Sequence, residues 1–130
     1  LGLEIPEEYV REGVYHDPDR CAELTRELLQ LPEPPTCILM PDDFSSIGGS
    51  NAIRRMGLRF PEDVSAAGYD GIQLASVTNP AMTTYRQDTA ALGKTAAAKL
   101  IELIEKPRTA LVDRILIPGK LVEGGSVRAI

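Results

Sequence analysis

The sequence has few of the residues that enzymes most often use for catalysis. It contains one histidine (His16), two cysteines (Cys21 and Cys37) and no tryptophan. A Ser-His-Asp or Cys-His arrangement would have to use His16, which precedes an Asp-Pro pair and is expected in an exposed loop. The cysteines lack the spacing of zinc or redox sites, so we interpret them as free thiols. No HExxH, GxSxG or phosphate-binding glycine motif occurs. We therefore expect no catalysis, no metal and no cofactor.

Long apolar runs and an excess of basic charge are missing too. No apolar stretch approaches the roughly 20 residues that a membrane helix requires. The formal net charge is −5, and an acidic chain is repelled by the phosphates of nucleic acids. No secretion signal is visible, and free thiols fit a reducing compartment. We expect a cytoplasmic protein that itself contacts neither membrane nor DNA.

Strand and helix patterns alternate along the chain, which predicts an α/β fold. A wholly apolar strand is predicted at 36–40, as in a parallel sheet covered on both faces, and a second buried strand is predicted at 64–69. One helix is predicted to begin after Asp17, and the next to run from Asp43, its predicted N-cap, to Gly57. The other predicted elements are strands at 9–15 and 82–87, a long helix at about 89–105 and extended segments at 114–118 and 121–122.

Three acids, Asp42, Asp43 and Asp70, follow the two buried strands at their carboxyl ends, where open α/β sheets bind ligands. The capping role accounts for Asp43, whereas Asp42 and Asp70 have no comparable local role. A carboxylate here could accept hydrogen bonds from a small polar ligand or hold Mg²⁺. Tyr15 could stack on a ligand ring or be a half-buried strand aromatic. Gln87 is an uncommitted polar residue beside the long helix.

Two further features concern packing. Gly48 and Gly49 lie inside a predicted helix, which favours close helix packing, within the chain or across a dimer. The long helix is apolar around more than one face. A helix of this kind requires cover on several sides, so we expect a partner or a further domain to pack on it.

Several stretches resemble the LacI/GalR family of bacterial transcription regulators. Residues 57–70, GLRFPEDVSAAGYD, resemble the family segment GLRVPEDVSVVGFDD, and residues 36–44, TCILMPDDF, resemble PTAIFAANDxxA. Residues 79–88, NPAMTTYRQD, resemble PPLTTVRQP, and residues 92–94 continue into a segment similar to LGxxAxxxLLxxI. Residues 116–126 resemble LLPxELVxRxS. These similarities follow the family order across nearly the whole chain.

The resemblance implies a periplasmic-binding-protein-like fold of type I, a three-layer α/β sandwich with a parallel sheet. Residues 1–130 would form mainly its C-terminal lobe. The DNA-binding headpiece, most of the first lobe and the first strand–helix unit of the second would lie outside this sequence. The helix at 88–106 would pack on the absent lobe.

The resemblance also implies roles for individual residues. Asp70 matches the family acid that contacts effector hydroxyls or ring nitrogens, and Asp42 replaces the usual asparagine, so that an acceptor takes the place of a donor. Tyr15 matches a ring-stacking aromatic, and Gln87 matches a polar residue that faces the effector. The residues that match the dimerising face are Phe44, Ile47, Gly48, Asn51 and Leu74.

The function implied is the ligand-sensing and dimerisation part of a DNA-binding regulator. Its partners would be a small polar effector such as a sugar, a second copy of the chain, and operator DNA reached only through the absent headpiece. Two alternatives remain open. One is a solute-binding protein of a sugar transporter, which shares the fold. The other is a Mg²⁺-dependent phospho-acceptor domain that uses Asp42, Asp43 and Asp70.

Overall fold

The computed structural model describes residues 2, 4–109 and 114–129. Its strands form one mixed sheet in the order β1-β2-β3-β4, and the β1–β2 and β2–β3 pairs are parallel. The predicted α/β class is confirmed. The strands are β1 (Cys37–Leu39), β2 (Ser65–Asp70), β3 (Thr83–Arg86) and β4 (Lys120–Val122). The helices are α1 (Pro18–Leu29), α2 (Asp43–Arg55), α3 (Gln73–Val77) and α4 (Thr89–Glu105), and a 3₁₀ turn spans Glu7–Tyr9.

The chain divides into two compact units. One contains the residues up to Arg86 together with those from Leu121 onward, and the other is Gln87–Lys120. The second unit carries α4, which has no buried residue along its described length. The long apolar helix is thus present as predicted, with Ile101 and Ile104 more than half exposed. That an absent lobe covers this helix stays a prediction.

Helix α1 begins where the sequence predicts. The Asp17 side chain accepts a hydrogen bond from the Arg20 N–H, and Pro18 occupies the first helical position. Cys21, Leu24 and Leu28 follow at helical spacing and are buried. This apolar face packs in the core of the first unit. That core also contains Ile38 of β1, Met40 just after β1, Ala66 of β2 and Ile53 of α2.

The two glycines of α2 allow close packing inside the chain. A Cβ added at Gly48 would lie 1.7 Å from the Pro18 carbonyl oxygen, and one added at Gly49 would lie 2.4 Å from Met40 Cε. No side chain fits at either position without displacing its neighbours. Close helix packing is therefore confirmed, and the contact shown for Gly48 is with α1 of the same chain rather than with a partner.

The strand predicted at 9–15 is wrong. A 3₁₀ turn covers its start, and residues 10–14 have no regular structure, whereas Tyr15 and His16 form a turn. An alternating pattern forms a strand only when another strand supplies hydrogen bonds, and none of the described strands pairs with this segment.

The end of α2 agrees with the prediction. Gly57 follows the end of α2 with φ of +78°, the left-handed conformation expected after a helix. Both cysteines are free; Cys21 is buried and Cys37 is exposed. Among the residues described, no helix is long and apolar enough to cross a bilayer.

Candidate functional site

The carboxyl ends of the parallel strands meet the N-terminus of α2. In the sheet register Leu39 is opposite Ala67, and Asp70 is opposite Arg86. The chain leaves β1 into Asp42, and β2 ends at Asp70, so both acids lie at the same edge of the sheet. This is the edge where open α/β sheets bind ligands.

Asp42 is fully buried and holds the turn that precedes α1. Its Oδ1 accepts from the Ser45 backbone N–H (2.8 Å), and its Oδ2 accepts from the Ser45 hydroxyl (2.7 Å) and the His16 backbone N–H (3.0 Å). The Ser45 hydroxyl oxygen in turn accepts from the Asp17 N–H (3.1 Å). The first turn of α2 therefore fixes the backbone at His16 and Asp17, next to Tyr15.

This arrangement corrects the predicted N-cap. The N-cap of α2 is Asp42 and not Asp43, because Asp42 has the extended backbone of a cap and accepts from the Ser45 N–H. The Asp42 side chain is 0% exposed and bonded through both oxygens, and its contact with an effector stays a prediction. Two adjacent aspartates are equally good caps by sequence, so local pattern could not distinguish them.

The hydrogen bonds of Asp42 determine its ionisation. Burial by itself raises the pKa of Asp42, but the hydrogen bonds from Ser45 and from the His16 backbone outweigh burial, so that the pKa is lowered. A carboxylate that only accepts suits this position, because the groups that face it are all donors.

Asp43 is buried as well and holds a second turn. Its Oδ2 accepts from the Ile72 backbone N–H (2.9 Å), although 29 residues separate the two in the sequence. Its Oδ1 lies against Gly68 of β2, where an added Cβ would be only 2.3 Å away. Asp43 therefore joins the start of α2 to the turn after β2.

Asp70 is half-buried at the start of that second turn and has φ of +102°. A non-glycine residue in such a conformation costs on the order of 1–3 kcal/mol and persists only where its surroundings enforce it. Gly71 follows with φ of +71°, and its N–H donates to Thr84 Oγ1 of β3 (3.2 Å). The predicted effector contact is thus a strained residue at the ligand-binding edge.

Tyrosines supply flat surfaces near this edge. Tyr69 and Tyr85 are partners in the β2–β3 register, and their rings stack with centroids 5.8 Å apart and planes 15° apart. Tyr15 is 63% exposed, and with Tyr69 it lines a largely apolar cavity of about 1080 Å³. The sequence analysis did not single out Tyr69 or Tyr85, although aligning the two predicted strands in parallel would have paired them.

The remaining predicted site residues are Gln87 and those of the dimer face. Gln87 is half-buried and begins the second unit. The residues predicted for the dimer face vary in exposure: Phe44, Asn51 and Leu74 are exposed, Ile47 is half-buried and Gly48 is buried. Across the described part of the chain, no three or more His, Cys, Asp or Glu side chains cluster in a way that could hold a metal ion.

Comparison with known proteins identifies the class. Residues 1–127 match the periplasmic binding protein-like domain, so the chain belongs to that family. The solved structure of the transcriptional regulator CelR in complex with cellobiose is similar, with a TM-score of 0.87 and 29% identity. That similarity covers 97% of this chain and 38% of CelR.

Curated relatives refine the assignment. Over 128 residues the chain is 33% identical to the probable HTH-type transcriptional repressor ExuR of Bacillus subtilis, covering 98% of this chain and 38% of ExuR. Over 130 residues it is 32% identical to the HTH-type transcriptional repressor PurR of Escherichia coli, covering 97% of this chain and 38% of PurR. The chain is therefore similar to a segment of LacI/GalR-type repressors, as its motifs indicated. It spans 38% of the length of these repressors.

Replacing Asp42 with alanine tests its role in the fold. Asp42→Ala should lower the free energy of unfolding by about 2 kcal/mol at neutral pH, because it removes the cap of α2 and a buried acceptor of three hydrogen bonds. The native pKa of Asp42 is depressed, so its contribution is present above the unfolded value of about 3.9 and is lost as pH falls through the native pKa. Urea unfolding at neutral and acidic pH measures both effects.

The matched control is Asp19→Ala, which removes an exposed acid from the first turn of α1. Its effect should be much smaller. A loss for Asp42→Ala that is no larger than the control, or that stays constant as pH falls toward about 3, would contradict the account.

Proposed function

We propose that this chain is the ligand-sensing and dimerising part of a bacterial, cytoplasmic LacI/GalR-type transcription regulator that binds a small polar effector such as a sugar. One observation supports this most strongly. Asp70 is held in a left-handed conformation at the carboxyl edge of β2, where it presents a carboxylate beside the turn. Strained residues at such an edge are typical of ligand-binding sites.

The chemistry of the site suits a sugar. Carboxylate oxygens accept hydrogen bonds from hydroxyl groups, and exposed tyrosine rings pack against the apolar faces of sugar rings. Asp70 would supply the first from the end of β2, and Tyr15 and Tyr69, which both line the cavity, would supply the second. The structural relative CelR was solved with cellobiose, which supports the same class of ligand here.

The mechanism would be a shift between conformations rather than catalysis. An effector that binds one arrangement of the lobes more tightly favours that arrangement by its difference in affinity, and no more. In the full-length regulator, this shift would change the spacing of the headpieces that bind operator DNA. The names of ExuR and PurR, both repressors, support a regulator over a transport protein.

The phospho-acceptor alternative is less well supported. It requires acids whose oxygens can reach Mg²⁺ and a phosphoryl donor. Asp42 and Asp43 are at most 1% exposed, and each of them accepts a backbone hydrogen bond from a neighbouring turn. These side chains have structural roles, which leaves Asp70 as the acid placed to meet a ligand.

Dimerisation through α2 and α3 is part of the proposal. Phe44 and Asn51 lie at the surface of α2, and Leu74 is exposed on α3. Helix α2 therefore has one side packed on α1, through Gly48, and other residues available to a second copy. A partner at this surface would contact the same helix whose N-terminus holds both turns of the site.

Calorimetry of the full-length protein with Asp70→Asn tests the effector contact. The panel would be neutral mono- and disaccharides, including cellobiose. Asparagine keeps one acceptor oxygen but removes the charge and puts an amide donor in place of the second oxygen, so a ligand that donates to both carboxylate oxygens should bind about tenfold more weakly, since hydrogen bonds to charged groups contribute about 1.5–3 kcal/mol. Asparagine tolerates the left-handed backbone, so the fold should persist.

Glu62→Ala, an exposed acid before the amino end of β2, is the matched control and should bind like the original protein. Unchanged affinity in Asp70→Asn would remove Asp70 from the site. A panel in which no sugar binds would count against the sugar assignment.

Replacing Leu74 with glutamate tests the dimer. A charge in an apolar interface is left unpaired and desolvated, so Leu74→Glu should shift the full-length protein toward monomer by tenfold or more in dissociation constant. Sedimentation equilibrium measures this shift. Ser76→Glu places the same charge on the exposed surface of α3 and should leave the dimer intact. Equal behaviour of the two variants would exclude this face as the interface.

A further inference from the structure

We propose that Asp43, assisted by Thr84, is a positioning residue of the effector site that holds the turn after β2 in the left-handed conformation needed to present Asp70. The proposal rests on the proposed function for what Asp70 binds. The effect of Asp43 on the conformation of the turn is present in the protein without ligand, so it can be tested separately from ligand binding.

Two successive amides of the turn are held by different elements. The Gly71 N–H donates to Thr84 Oγ1 of β3 (3.2 Å), and the Ile72 N–H donates to Asp43 Oδ2 of α2 (2.9 Å). Both acceptors are at least 98% buried. A turn held at adjacent amides from two sides has little freedom, which explains how Asp70 keeps φ of +102°.

No local role accounts for Asp43. The cap of α2 is provided by Asp42, so the Asp43 carboxylate is not required to start the helix. Within the described residues, its Oδ1 is the single buried side-chain oxygen or nitrogen without a hydrogen-bond partner. A buried carboxylate oxygen without a partner costs free energy, so the position of this side chain calls for an explanation. The hydrogen bond that the Asp43 side chain does make, from the Ile72 backbone N–H to Oδ2, is therefore taken as its role.

The surroundings are shaped around this contact. Gly68 has no side chain, and a Cβ there would lie 2.3 Å from Asp43 Oδ1. Gly71 faces β3 so closely that a Cβ would lie 2.3 Å from Arg86 Cβ. Gly68 thus admits the Asp43 carboxylate beside β2, and Gly71 admits the turn beside β3. If Asp43 released the Ile72 N–H, Asp70 could relax toward an ordinary strand conformation, and its carboxylate would point elsewhere.

Hydrogen–deuterium exchange of the full-length protein without ligand tests this role, with peptides that cover residues 70–73 and, for comparison, 15–18. Asp43→Ala should accelerate exchange at Gly71 and Ile72 about tenfold or more, since it removes a charge-assisted hydrogen bond. Exchange at residues 15–18 should stay unchanged, because Asp42 and Ser45 hold that segment. Asp43→Asn retains a side-chain oxygen acceptor and should stay within about threefold of the original protein.

Thr84→Val is a second variant of nearly the same shape that removes only the hydroxyl, so it is informative if Asp43→Ala does not fold. It should accelerate exchange at Gly71. Equal acceleration of both segments in Asp43→Ala would indicate general destabilisation and would overturn the proposal. No acceleration at residues 70–73 in either variant would overturn it as well. If exchange accelerates at Gly71 and Ile72 as expected but Asp70→Asn binds the ligand as tightly as the original protein, the positioning role stands and the proposed function of Asp70 is refuted.

Discussion

The site depends on two adjacent buried carboxylates at the N-terminus of α2. Asp42 accepts from the His16 N–H, and Asp43 accepts from the Ile72 N–H. Each bond holds a turn that contains a non-glycine residue with positive φ, His16 in one turn and Asp70 in the other. Among the described residues, these are the two non-glycine positions with such a backbone. The start of one helix thus fixes both of the strained turns.

This arrangement links the site to the rest of the molecule. Helix α2 packs on α1 through Gly48, which admits no side chain, and its N-terminus determines where Tyr15 and Asp70 lie. Its residues Phe44 and Asn51 are exposed and belong to the proposed dimer face. A ligand that moved either turn would act on the helix that also carries the proposed dimer face, which is a direct physical route between sensing and assembly.

Much of the fold could be predicted because local chemistry determines it. Asp17–Pro18 starts α1, Gly57 follows the end of α2, and the apolar segments 36–40 and 64–69 became parallel strands. Where tertiary contacts decide, local pattern failed. The segment 9–15 alternates like a strand but has no strand beside it, so it remains irregular.

The site was only partly predictable for the same reason. The position of Asp70 at the binding edge follows from the strand order, and the family resemblance gives its expected role. Asp42 holds the turn before α1 and Asp43 holds the turn after β2. These different roles depend on hydrogen bonds from the His16 and Ile72 N–H groups, which are distant in sequence. No local pattern contains that information. The stacked tyrosines, Tyr69 and Tyr85, likewise require the register between two strands.

The most direct test of this account is a crystal structure of the full-length protein with a bound ligand from the proposed class. The account predicts a polar group of the ligand within hydrogen-bond distance of the Asp70 carboxylate, with Asp70 still in its left-handed conformation. Asp42 should remain buried and bonded to Ser45 and the His16 N–H. A ligand that contacts Asp42 directly, while Asp70 points away from it, would contradict the account.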